Sequence, residues 1–126
     1  MTRLTGKEVE TSLGRLILSE EALATIAGAA ATECYGVVGM AGQRMIDGIA
    51  ELLGRENLSR GVSVTMEGDS VYIDLFVVVG YGVRISEVAR MVSEKVRYTV
   101  ENATGLDVAK VRVNVQGVRV QGSPGS

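Results

Sequence analysis

The sequence predicts an α+β fold: a single domain with a mainly antiparallel sheet of about four strands and helices on one face, in the order β, α, short α, β, β, α, β. Three observations carry this reading. Val62, Val64 and Met66 alternate with Ser63, Thr65 and Glu67, and after the Gly68-Asp69-Ser70 turn Val71, Ile73, Leu75, Val77 and Val79 repeat at period two, which describes a β-hairpin. Val88, Ala89, Val92, Val96, Val100 and Ala103 then recur at spacings of three and four, with Arg90, Glu94, Arg97 and Glu101 opposite, which describes a helix with one buried face. After Gly105, a residue suited to the left-handed end of that helix, Val111, Val113 and Val115 alternate with Lys110, Arg112, Asn114 and Gln116 in a last strand.

Ser86 is the expected cap of the second helix. Upstream, Leu13 to Leu18 is apolar apart from Gly14 and Arg15 and leads into Ser19-Glu20-Glu21, a cap followed by two acids that favour a helix dipole. Leu23, Ile26, Ala27, Ala30 and Cys34 share a face of the helix that follows, and Gly28 to Ala31 leaves it thin enough for close packing. Gly36 is expected to end it. Beyond a glycine-rich link, Met45, Ile46, Ile49, Leu52 and Leu53 recur at helical spacing, and they predict the second, short helix. Residues 1–12 read as an N-terminal arm, 13–120 as the domain and 121–126, Gln-Gly-Ser-Pro-Gly-Ser, as a flexible tail.

Composition bounds the function. The chain has 126 residues, 46% of them hydrophobic, which suffices for one core and not for two. It contains no histidine, so the usual general base, the Ser-His and Cys-His pairs and the commonest transition-metal ligand are missing. One cysteine allows neither an internal disulfide nor a cysteine cluster, and it suits a reducing compartment. A net charge of −2 provides no general attraction to nucleic acid or anionic lipid. The first eight residues lack the apolar core of an export signal, and the weakly charged stretch from Ala22 to Gln43 is too glycine-rich to read as a membrane span. The expectation is a cytoplasmic protein with no cofactor.

The segments Tyr72-Ile73-Asp74-Leu75, Tyr81-Gly82, Ile85-Ser86-Glu87-Val88-Ala89, Thr104-Gly105-Leu106 and Val111 to Val118 stand in an order that resembles the alkaline-shock, or envelope stress response, family of Gram-positive bacteria. Gly14-Arg15-Leu16, Ser19 to Ala31 and Gly36 to Met40 fit the same pattern, so the resemblance spans roughly Gly14 to Val120. It implies a non-enzymatic cytoplasmic stress-response or scaffold protein. Such a protein self-associates, binds a membrane-anchored or metabolic partner, and supports cell-envelope homeostasis. It implies no catalytic residue.

Each candidate site also has a plainer reading. On the central strand Tyr72, Phe76 and Val78 lie opposite the core-filling row, a face too apolar to meet only water, so another segment of the chain or a protein partner should cover it. Arg84, Lys110, Arg112 and Arg119 could add a basic stripe to that partner surface, or could simply be solvated. Asp74, in the same strand, reads either as a perturbed carboxylate or as an outward-facing charge. Cys34 reads as core packing, because no cationic or basic neighbour is visible to activate it. Gly36 and Gly39 have the Gly-x-x-Gly spacing of a K-homology loop, which together with the basic last strand is the basis of an alternative reading as a small RNA-binding module.

Overall fold

The computed structural model describes residues 6–11, 14–46, 49–53 and 55–120. Its strands are β1 (Gly6–Thr11), β2 (Gly14–Ser19), β3 (Val37–Ile46), β4 (Ile49–Leu52), β5 (Val62–Glu67), β6 (Ser70–Gly80) and β7 (Asp107–Arg119). Its helices are α1 (Glu20–Thr32) and α2 (Ile85–Thr104), with a short 3-10 helix at Arg55–Gly61. The expected flexible tail, 121–126, lies outside the described residues.

β6 is the axis of the fold. Its first half pairs antiparallel with β5, from Val62 opposite Leu75 to Glu67 opposite Ser70. Where β5 stops, β3 takes over the same edge, with Val37 opposite Val79 and Met40 opposite Val77. The other edge of β6 pairs in parallel with β7 along its whole length, from Ser70 beside Asp107 to Gly80 beside Arg119. Parallel strands need a crossover, and α2 supplies it. β3 and β4 form a hairpin, and β1 and β2 form a separate two-stranded sheet.

The core lies between one face of the large sheet and the two helices. Val71, Ile73, Leu75, Val77 and Val79 of β6 are all essentially buried, as are Val88, Val92, Val96 and Val100 of α2. Burying each such side chain is worth about 1.5–3 kcal/mol. α1 adds Leu23 and a row of alanines, and at Gly28 it approaches the 3-10 helix so closely that a Cβ would sit 3.1 Å from the Leu58 carbonyl oxygen. The Ser19 hydroxyl accepts from the Ala22 N–H at 3.0 Å, as its sequence position predicts.

Three expectations are corrected. The short helix over Met45 to Leu53 does not form: Met45 and Ile46 end β3, Ile49–Leu52 are β4, and the nearest helical turn is the 3-10 helix at Arg55–Gly61. The reason is non-local. The edge of β6 beyond Leu75 lacks a partner once β5 has ended, and the Val37 to Met40 backbone fills it. Ser86 does not cap α2; Arg84 holds that position without a side-chain bond. Gly36 lies beyond the end of α1, whose last residue is Thr32, and with φ of 93° it turns the chain into β3.

Candidate interaction surface

A strand alternates its side chains, so β6 carries Tyr72, Asp74, Phe76 and Val78 on the face away from the helices. The neighbouring strands extend this row by register: Thr65 and Lys110 flank Tyr72, Ser63 and Arg112 flank Asp74, and Asn114 flanks Phe76. Among the described residues no helix covers this face, yet its two halves differ.

In one half Val78 is 0% exposed, packed with Ala41, Val38 and Phe76. β3 and β4 both come near β7 there, so the chain's own hairpin covers the apolar end. Val78 therefore has no surface to offer a partner, and Phe76 is half-buried. In the other half the Arg112 Nε donates to Asp74 Oδ1 at 2.6 Å, and Nη2 approaches Oδ2 at 3.4 Å. The bonded carboxylate raises the guanidinium's already high pKa further. Tyr72 is 36% exposed beside this pair, and a depression is lined by Tyr72, Asp74, Lys110 and Arg112. Asn114 Nδ2 donates to the Leu75 carbonyl at 3.1 Å and ties the two strands together.

The seven residues expected at the partner surface thus fall in three places. Tyr72, Lys110 and Arg112 are together; Phe76 and Val78 lie under the hairpin; Arg119 and Arg84 stand at the far end of the sheet. Arg119 is registered with Gly80, about 26 Å along β6 from Tyr72 at 3.3 Å per residue, and Arg84 precedes α2. These four basic residues form no continuous stripe. That far end instead displays an apolar set that sequence reasoning missed: Tyr81 is 74% exposed, Ile85 45%, Val118 49% and Val120 52%. The Tyr81 N–H donates to the Arg119 carbonyl at 2.6 Å, which brings Tyr81 beside the end of β7. The Tyr81-Gly82 pair is the available signal, but in the sequence it stands only as one segment of the family pattern.

The Gly-x-x-Gly reading fails on topology. A K-homology loop joins two helices, whereas Val37, Val38 and Gly39 are already part of β3. Gly36 is packed against Val88, not held out toward a ligand. Cys34 is half-buried against the core; burial raises its thiol pKa, only partly opposed by Lys95. A cleft of about 550 Å³ beside α1 and β3 is lined by Ala29, Thr32, Glu33, Val38, Leu53 and Leu58. Glu33 is the single ionisable group among these, and it pairs with Lys95 at 3.4 Å. Among the described residues no cluster of three acidic, cysteine or histidine side chains could hold a metal, and no helix is long and apolar enough to cross a membrane.

Residues 8–120 match the model of the alkaline-shock protein 23 family, described as having a cell envelope-related function. The chain belongs to that family. This bears out the resemblance read from the sequence. YloU of Bacillus subtilis (strain 168) is 50% identical over 114 residues, covering 90% of this chain and 95% of that protein. Spy1614 of Streptococcus pyogenes serotype M6 is 39% identical over 116 residues, covering 91% of this chain and 96% of its own length. YqhY of Bacillus subtilis (strain 168) is 36% identical over 87% of this chain and 81% of its own length. Among solved structures, the MamM CTD is similar with a TM-score of 0.48 at 16% identity, over 77% of this chain and 93% of that one.

Proposed function

We propose that this family member is a non-enzymatic cytoplasmic protein that supports cell-envelope homeostasis by associating with itself and with a protein partner, either membrane-anchored or a metabolic enzyme. The observation that carries the reading is the half-open sheet face, where Tyr72 stands beside the Asp74–Arg112 pair and Lys110. An aromatic ring with a polar rim, on a rigid strand flanked on both sides, is a surface suited to a protein partner. The partner surface is accordingly narrowed to Tyr72, Lys110 and Arg112. Any contact with the membrane would come through the partner.

The test compares affinity capture by the native chain with capture by Tyr72→Ser and Lys110→Glu, each with and without ribonuclease and each checked for folding by circular dichroism. A ribonuclease-resistant protein retained by the native chain and lost from both variants is the expected result. Retention of the same set by both folded variants would sink the assignment of this surface.

A further inference from the structure

We infer that β7 is a self-pairing edge, joining antiparallel to β7 of a second copy about a two-fold axis at Val113, so that two large sheets become one. The inference deepens the reading above and rests on its self-association part.

β7 is thirteen residues long, more than twice the usual strand, and β6 occupies one of its edges. Among the described residues no strand pairs with the other edge. A long edge of this kind is a ready template for another strand unless something blocks it. α2 closes it at Val108: the Val108 N–H donates to Glu101 Oε2 at 3.0 Å, and the Arg97 guanidinium donates to the Val108 carbonyl. The pairing starts one residue later, at Ala109.

Charge selects the register. With the axis at Val113, Ala109 faces Gly117 of the second copy, Lys110 faces Gln116, Arg112 faces Asn114, and Asp107 faces Arg119. An axis at Arg112 would set that arginine against itself, and an axis at Val111 would set Lys110 against Arg112. An axis at Asn114 would lose the Asp107 to Arg119 match. Of these, only the Val113 axis avoids like charges and also pairs an acid with a base. Edge lysines and arginines ordinarily discourage pairing; here they face neutral amides.

Packing agrees with charge. Val111, Val113 and Val115 share the helix-side face with Ile73, Leu75 and Val77 and are only half-buried, so their outer sides remain to be covered. The Val113 axis sets Val111 opposite Val115 and Val113 opposite itself. β7 carries one extra residue near each end, at Ala109 and at Gln116. These bulges lie almost symmetrically about Val113, so faces match in both halves of the paired ladder.

The experiment is sedimentation equilibrium of the full chain with Asp107→Arg, Arg119→Asp and the double exchange. A cross-linking arm uses Val113→Cys in a Cys34→Ser background, with Tyr98→Cys on the outside of α2 as control. Directly opposite strand residues hold their Cβ atoms close enough for a disulfide. We expect each single exchange to weaken the dimer about fivefold or more, since two charge pairs are lost per dimer. The double exchange should restore it, and oxidation should join two Val113→Cys chains but not two Tyr98→Cys chains. A dimer that ignores the exchanges and does not cross-link through the Val113→Cys position overturns this interface while leaving self-association standing. A chain that stays monomeric at all concentrations overturns both.

Discussion

Asp74 and Arg112 are registered partners across the parallel β6–β7 pair, and the Arg112 Nε lies 2.6 Å from the Asp74 Oδ1. The pair sits on the helix-free face with Arg112 64% and Asp74 29% exposed, where water and salt screen the attraction. Its value is in holding two adjacent side chains of the candidate surface in place.

Asp74→Asn should therefore leave the protein folded. We expect the urea midpoint to move far less than for Leu75→Ala, one residue away and fully buried, which should cost about 2–5 kcal/mol. Equilibrium unfolding in urea at low and high salt checks both, and the effect of Asp74→Asn should shrink as salt rises.

Two glycines with positive φ should separate strain from crowding. Gly105 ends α2 at φ 77° with open space where a Cβ would go, so Gly105→Ala should cost about 1–2 kcal/mol from backbone strain alone. Gly36 combines φ 93° with a Val88 methyl 2.7 Å from the would-be Cβ. Gly36→Ala should be the more destabilising, and the double variant with Val88→Ala should recover part of the difference in thermal unfolding.

Among the described residues, Thr104 is the buried polar residue of the core, 7% exposed. Its hydroxyl donates to the Val100 carbonyl at 2.7 Å and accepts from the Leu106 N–H at 3.1 Å. Thr104→Val keeps the shape but strands that N–H, at a cost of about 1–3 kcal/mol. Thr104→Ser retains the hydroxyl and should lose less, and amide exchange at Leu106 should quicken only in the valine variant.

Burial holds the Cys34 thiol above the ordinary value of 9.0, with Glu33 acting in the same direction. A raised pKa means less thiolate at any given pH below it. The rate of alkylation by iodoacetamide, followed against pH, should have its midpoint above that of a free cysteine, and unfolding in urea should bring it back.

The elements that can be read in the sequence are those whose pattern is local. The β5–β6 hairpin announces itself by alternation about Gly68, α2 by its valine stripe, its end by Gly105, and α1 by the Ser19 cap. Val37 to Leu53 is different. Its start reads as a glycine-rich link and the apolar spacing of Met45 to Leu53 suits a helix, but its fate depends on an edge of β6 that exists only after the sheet has assembled. The candidate surface divided for the same reason. Alternation placed Tyr72, Phe76 and Val78 on one face, and nothing local reveals that a hairpin covers the Val78 end and leaves Tyr72 open.

The parallel pairing of β6 with β7 also imposes an order of events on the growing chain. Tyr72 and Lys110 lie side by side, yet all of α2 stands between them in sequence. The hairpin can close as soon as it emerges from the ribosome, whereas β7 must wait until the helix has been made and has laid itself across the sheet. Until then β6 has a bare hydrophobic flank. Nascent chains that stall within α2 are the ones we expect chaperones to hold.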